Sequence, residues 1–273
     1  MAIATGSGGG AAARGDGRPF DLPGGPDAAL LLHGLTGSPF EVRPVAEALN
    51  RGGARCLGPA MAGHPSPDEL AATPWPAWVE GARQALLRLE GARRTWIVGC
   101  SMGALVACAL AREHPDRVDG LVLLAPALRL AWPGRVAAAL ARRTPLARWM
   151  PFVRKTSGSD VADVEMRRLN PCLDVVPIAA VAELQALAER VDAGLPEVRA
   201  PALVVAGALD RTVTLGGARR MAERLGGGAR LLVLARSAHL VGIDVERERC
   251  AAEARAFLEA LPPRAAAARA NAR

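Results

Sequence analysis

Short apolar runs alternate along this chain with segments of helical periodicity, and that alternation constrains its fold more than any other feature. Ala29–Leu32, Ala54–Leu57, Thr95–Val98, Leu121–Leu124, Ala202–Ala206 and Arg230–Leu234 have the length of strands. Between them lie Glu41–Arg51, Trp75–Leu89, Ser101–Arg112 and Gly216–Leu225, and Arg247–Leu261 closes the series. In these segments the apolar residues recur three or four apart, as Trp78, Ala82, Ala85, Leu86 and Leu89 do. A strand, a helix and a second strand make a crossover, and crossovers pair their strands in parallel. Three runs without a charge, Ala29–Leu32, Leu121–Leu124 and Ala202–Ala206, suit strands covered on both faces. The expected class is α/β, a mainly parallel sheet flanked by helices. Residues 128–195 break the rhythm: they are helical in pattern, rich in arginine and interrupted by Pro133, Pro145, Pro151 and Pro171. Of these, 128–170 read as a small helical cap inserted into a core made of residues 19–127 and 171–261. Val175–Val191 reads as a longer helix that returns the chain to the sheet. Residues 1–18 and 262–273 read as flexible tails.

With 273 residues, 51% of them hydrophobic, the chain has ample material for a core. Its net charge of +7 raises the question of nucleic acid. Lys155 is the sole lysine among 34 basic residues, and tyrosine is absent, a habit that fits GC-rich coding as well as it fits a function. Location separates the two. Residues 128–170 hold nine basic groups (Arg129, Arg135, Arg142, Arg143, Arg148, Arg154, Lys155, Arg167, Arg168) against three acids, while the core is mildly acidic. No interleaved aromatics or RNA-binding signature accompany the runs Arg93-Arg94, Arg142-Arg143 and Arg219-Arg220, so nucleic acid is not expected as a partner. The basic cap is expected instead to favour weak contact with anionic lipid interfaces. The five cysteines show no C-x-x-C spacing, so no metal site is expected, and they read as reduced thiols of a cytoplasmic protein. No run of about 18 apolar residues offers a membrane span. Nothing in the pattern speaks to oligomeric state.

Gly99-Cys100-Ser101-Met102-Gly103 matches G-x-S-x-G, directly after a strand and at the start of a helix. Such a turn strains the serine backbone and stands its hydroxyl at a helix N-terminus, where backbone amides and the helix dipole favour developing negative charge. On its own the pentapeptide is equally a Gly/Ser turn; its strand–turn–helix setting makes Ser101 a candidate nucleophile. His33-Gly34-Leu35-Thr36-Gly37 follows the first of the apolar runs. A turn there can aim the Leu35 amide into the same site, where with the Met102 amide it would form an oxyanion hole. His33 reads as a brace of this loop rather than as the base.

Asp210 lies in the loop after Ala202–Ala206, and His239 lies just beyond Arg230–Leu234. Open α/β sheets place functional groups in this way, beyond the carboxyl ends of their strands. One helix and one strand fit between the two residues and return both to the same sheet edge. Taken singly, Asp210 is equally a turn residue and His239 a loop histidine. Asp244 reads as a cap of the last helix. Leu128, Trp132, Val213 and Leu240 are the candidate pocket residues, by their nearness in sequence to these loops.

At these residues the chain resembles the small bacterial carboxylesterases and monoacylglycerol lipases of the α/β-hydrolase superfamily. The resemblance runs from about Pro19 to Leu261. Its most specific stretch is Leu30-Leu31-Leu32-His33-Gly34-Leu35-Thr36-Gly37-Ser38-Pro39, with Glu41-Val42-Arg43 beyond; Gly63-His64, Trp75–Val79 and Ser237-Ala238-His239 add to it. The resemblance implies the α/β-hydrolase fold, with Ser101 as nucleophile, Asp210 as acid, His239 as base and the Leu35 and Met102 amides as oxyanion donors. It also implies an ester as the small-molecule substrate, a short- to medium-chain acyl ester or a monoacylglycerol, and no cofactor. Thioester cleavage and acyl transfer use the same three residues and stay open at this point, as does a ligand-binding homologue without catalysis. Pro65 stands where that group often has glycine, and Ala104 where a second glycine is common.

Overall fold

In the computed structural model, residues 14–143, 150–156 and 158–262 are described. Among the described residues nine strands are present: β1 (Phe20–Leu22), β2 (Ala28–Leu32), β3 (Arg55–Gly58), β4 (Thr95–Cys100), β5 (Gly120–Leu124), β6 (Phe152–Arg154), β7 (Val175–Pro177), β8 (Ala202–Gly207) and β9 (Ala229–Leu234). The helices are α1 (Arg43–Arg51), α2 (Pro67–Ala72), α3 (Trp75–Leu87), α4 (Met102–Glu113), α5 (Trp132–Arg143), α6 (Val164–Leu169), α7 (Ile178–Gly194), α8 (Leu215–Arg224) and α9 (Arg247–Glu259). Seven strands make one sheet in the order β1-β3-β2-β4-β5-β8-β9. All neighbours are parallel except β1, which runs antiparallel to β3 with Phe20 opposite Gly58. This is the α/β-hydrolase architecture expected above.

Successive side chains of a strand point to opposite faces, so each central strand feeds two cores. Leu121 and Leu123 of β5, with Ala202, Val204 and Ala206 of β8, join one core together with α3, α4 and α7. Val122, Leu124, Leu203 and Val205 join the other, together with α1 and α9. Strands β2, β4, β5 and β8 are buried along their whole length, so a charge anywhere in them would lie in a core. Trp78 and Trp96, one in each core, are among the largest fully buried side chains.

The connection from β5 to β8 carries the additional structure. It contains α5, α6, α7 and a separate antiparallel pair, β6 with β7, in which Phe152 faces Pro177. The longer helix expected over Val175–Val191 is divided. Val175–Pro177 is extended as β7, and the helix runs over Ile178–Gly194 with Pro177 as its N-cap. The β6–β7 pair therefore joins chain on both sides of residue 170, where the sequence placed the end of the cap. Helix α5 packs on α7, and α7 packs on α3 and α4. Of the expected tails, residues 1–13 and 263–273 lie outside the described residues, as do 144–149 and 157 within the cap. Residues 14–18 are held: Arg14 pairs with Asp174 at 2.8 Å and donates to the Cys172 carbonyl at 3.0 Å. No described helix is long and apolar enough to cross a membrane.

Candidate active site

Ser101 stands between β4 and α4 with φ 55° and ψ −110°, in a region L-residues rarely occupy. Three hydrogen bonds hold the backbone there. Its N–H donates to the Leu124 carbonyl at 2.8 Å, and its carbonyl accepts from Ala104 and Ala127, each at 3.2 Å. The two flanking glycines are required by space. A Cβ on Gly99 would collide with the Gly103 backbone, and one on Gly103 with the carbonyls of Leu32 and His33.

Around Ser101 the structure brings together the residues that the sequence singles out. The Ser101 hydroxyl lies 3.0 Å from His239 Nε2, and His239 Nδ1 lies 2.9 Å from Asp210 Oδ2. The other carboxylate oxygen, Asp210 Oδ1, accepts from the Thr212 and Val213 amides at 2.8 Å each, which fixes the acid's orientation. With the carboxylate on Nδ1, the imidazole carries its proton there and presents a bare Nε2 to the serine. Burial alone would lower the His239 pKa. The charge and hydrogen bond of Asp210, with the charges of Asp160 and Glu41, outweigh it and hold the pKa above the ordinary value. Burial would raise Asp210, but His239 and the two loop amides hold it below the usual carboxylate range.

The loop after β2 faces the same point. His33 is fully buried, and burial pushes its pKa down to about 3, so it is neutral. Its Nδ1 donates to the Gly34 carbonyl at 2.9 Å, and its Nε2 accepts from the Met61 amide at 3.0 Å. Both ring nitrogens are thereby spent on the loop. The Leu35 amide has no acceptor among the described residues, and the Met102 amide opens α4, above the helix's own hydrogen-bond ladder. Thr36 adopts φ 62° and is held from the cap side: Lys155 Nζ donates to its hydroxyl at 2.6 Å, and Leu173 N–H to its carbonyl at 2.9 Å. From the core side, the Gly34 amide donates to the buried Glu41 carboxylate at 2.9 Å. Burial raises the Glu41 pKa, and the Gly34 amide and the Lys155 charge oppose that rise.

Ser101 and His239 open into a cavity of about 320 Å³. Its apolar lining comes from Leu130, Ala131, Val176, Val181, Leu184 and Leu240. Of the pocket residues expected from the sequence, Leu240 lines the cavity, while Leu128 and Val213 are buried in the core and Trp132 is 72% exposed at the start of α5. A short antiparallel bridge accounts for this placement. Ala131 N–H donates to the Thr212 carbonyl and Thr214 N–H to the Arg129 carbonyl, both at 2.9 Å. The bridge binds the exit of β5 to the acid loop, so that Leu130 and Ala131 reach the cavity.

The charged lining residues Glu41, Lys155, Asp160 and Arg211 were not among the site residues singled out from the sequence. The sole lysine of an arginine-rich chain, and one of only three acids in a basic cap, were the available signals. Asp244 does not cap α9 through its side chain. It is fully buried and accepts from the amides of Ala162, Asp163, Ala238 and Val245, tying the cap to the histidine loop. Among the described residues no group of three or more His, Cys, Asp or Glu is placed to hold a metal ion.

The family model described as serine aminopeptidase, S33, matches residues 26–246. The chain is 27% identical over 232 residues to a thermostable monoacylglycerol lipase of Bacillus sp. strain H-257, an alignment that covers 84% of this chain and 89% of that protein. A solved structure described with LipS and LipT, two metagenome-derived lipolytic enzymes, superposes with TM-score 0.81 at 26% identity, covering 90% of this chain and 99% of its own. The monoacylglycerol lipase of Paleococcus ferrophilus shares the fold at TM-score 0.66 and 20% identity, over 85% of this chain and 92% of its own.

Proposed function

The chain belongs to the serine aminopeptidase S33 family of α/β-hydrolases, and we propose that it works there as a serine hydrolase of carboxylic esters. The observation that carries the reading is the unbroken line from Ser101 Oγ to His239 Nε2 at 3.0 Å and from His239 Nδ1 to Asp210 at 2.9 Å, opening into the cavity. His239 takes the hydroxyl proton as Ser101 Oγ attacks the ester carbonyl, and Asp210 stabilises the imidazolium that forms. The Leu35 and Met102 amides, with the N-terminus of α4, receive the negative charge on the carbonyl oxygen. The C–O bond breaks and His239 returns the proton to the leaving alcohol, which leaves an acyl-serine. Water then gives its proton to His239 and attacks the acyl carbon; the bond from that carbon to Ser101 Oγ breaks, His239 returns the proton to Oγ, and the acid is released.

The lining favours an amphipathic ester. The apolar residues of α5, β7 and α7 suit an acyl chain, and Thr36, Lys155, Asp160 and Thr212 suit a polar alcohol. A cavity of about 320 Å³ fits short- to medium-chain acyl esters or a monoacylglycerol. Peptide cleavage from a free amino terminus fits less well, because both lining carboxylates are engaged, Glu41 by the Gly34 amide and Asp160 by Arg211 and Thr212. The exposed Trp132, Met150, Val153 and Val164, with the exposed Arg129, Arg135, Arg154 and Arg168, make the cap a surface for anionic lipid interfaces. Five free cysteines suit the cytoplasm.

Ser101→Ala is expected to keep the fold, to lose about three decades or more of p-nitrophenyl ester turnover and to escape labelling by a fluorophosphonate. A variant with near-wild-type turnover overturns the reading. The wild type, assayed on C2 to C16 esters, a monoacylglycerol, an acyl thioester and an aminoacyl p-nitroanilide, and with competing alcohols, distinguishes ester hydrolysis from its relatives. On anionic and neutral lipid dispersions, an identical salt dependence removes the interface role of the cap.

A further inference from the structure

The segment 158–163 lies between the loops that carry Asp210 and His239, and Asp160 touches both. Its backbone carbonyl accepts from the His239 amide at 3.1 Å and the Leu240 amide at 3.2 Å. Its carboxylate accepts from the Arg211 amide at 2.8 Å and the Thr212 hydroxyl at 3.0 Å, and pairs with the Arg211 guanidinium at 3.2 Å. Arg211 and Thr212 directly follow the acid, and Thr212 N–H is itself one of the two amides that orient Asp210. On either side the segment is secured again. Ser159 Oγ accepts from the buried Asn170 at 2.9 Å, and Ala162 and Asp163 donate to Asp244, which also receives the amide next to His239.

We propose that Asp160 is a positioning residue for the hydrolytic reaction, a cap residue that sets the acid loop and the histidine loop in register with each other. The proposal rests on the hydrolase reading above. Beyond the sheet the two loops are joined by Leu209 N–H on the Ser237 carbonyl at 3.0 Å, and a residue from a third segment bonded to both limits their remaining freedom. The carboxylate also acts through space. His239 is faced by Ser101 from the start of α4, Asp210 from its loop, Asp160 from the cap segment and Glu41 from the turn before α1, while Lys155 and Arg211 line the same cavity. The negative charge of Asp160 is one of those that favour the imidazolium.

The test compares Asp160→Ala with Asp160→Asn in the full chain. Alanine removes all three side-chain contacts to the acid loop, and kcat for a p-nitrophenyl ester is expected to fall by about 10- to 100-fold while KM changes by less than about 2-fold. Asparagine can keep its oxygen on Arg211 N–H and Thr212 while losing the charge. Its kcat is expected to fall less, and the acid limb of its kcat/KM profile to move to lower pH, because an imidazolium with one negative neighbour fewer loses its proton more readily. A merely structural residue would lower the melting temperature and leave kcat and the acid limb at their wild-type values, and that result overturns the proposal. Should the alanine variant fail to fold, the asparagine pH profile decides alone. An active, fluorophosphonate-labelled wild type with unaltered variants refutes the role of Asp160 only; a wild type that neither turns over ester nor labels refutes the hydrolase reading and this proposal with it.

Discussion

Replacing Ser101 by glycine and by alanine separates the energetics of the elbow from its chemistry. Both variants lack the hydroxyl, leave His239 Nε2 equally unpartnered and are expected to be inactive. They differ in one methyl group, held at φ 55° by the bonds to Leu124, Ala104 and Ala127. A side chain in such a region costs about 1–3 kcal/mol. Glycine relieves that cost, but in the unfolded chain it gains back about 0.5–1 kcal/mol of entropy relative to alanine. The net expectation is that Ser101→Gly is the more stable by about 1 kcal/mol. At about 2.1 cal/mol/K per residue, the 273-residue chain has an unfolding entropy of about 0.6 kcal/mol/K, so the difference is about 2 °C in Tm. Scanning calorimetry on the pair, with turnover as a check that both are inactive, measures it. At an unstrained position inside a helix or strand the order is the reverse, with alanine the more stable. An alanine variant that melts at or above the glycine variant would therefore refute the claim that the elbow backbone is strained.

Three further perturbations follow from the same geometry. Asp244→Asn turns an amide NH2 toward two of the four backbone N–H donors that the carboxylate holds, and a loss of about 2–4 kcal/mol in denaturant unfolding is expected, with kcat falling because Ala238 adjoins His239. His33→Phe strands the Gly34 carbonyl and the Met61 amide; kcat should drop with little change in KM, and the acid limb should stay in place because His33 is neutral down to about pH 3. For Asp27, burial is outweighed by Arg93 and Arg94, and its pKa is held at about 2 against an ordinary 3.8. A depressed carboxylate contributes above its unfolded pKa, so up to about 2 kcal/mol of stability should be present above about pH 4 and lost as pH falls toward 2. Asp27→Asn should flatten that part of the profile of stability against pH, and an unchanged slope would rule the pair out as its source.

The central strands and the catalytic constellation were legible because each obeys a local rule. Strands such as β5 and β8 lie between two cores and tolerate no charge, so they stand out as uninterrupted apolar runs. Gly99 is dictated by the Gly103 backbone four residues on, and Gly103 by the end of β2 beside it, yet both fall within five residues, so the motif survives as a short string. What escaped the reading depends on distant partners. β1 has three residues and one buried side chain, and it is a strand only because β3 lies beside it. Val175–Pro177 carries apolar residues that fit a helix as well as a strand, and its pairing with Phe152–Arg154 decides the matter. The cavity lining depends on the bridge between Leu130 and Val213, some eighty positions apart, so nearness in sequence to the strand ends singled out Leu128, Trp132 and Val213 where Leu130 and Ala131 reach the space. Lys155 and Asp160 looked like two more charges on a solvated cap, and only their contacts to Thr36 and His239 distinguish them.

The distribution of the thiols has a practical consequence. Cys56, Cys108 and Cys250 are buried with their pKa values pushed up to about 12, and Cys100, next to the nucleophile, is raised well above the ordinary thiol value. Cys172 alone of the five is only half-buried, and its sulfur lies 3.2 Å from Ser159 Oγ, next to Asp160. A thiol-directed fluorophore applied to the folded wild-type chain should therefore attach at one place, with no engineered cysteine. That place adjoins the junction of cap, acid loop and histidine loop, so the label would report ligand occupancy of the cavity by its emission.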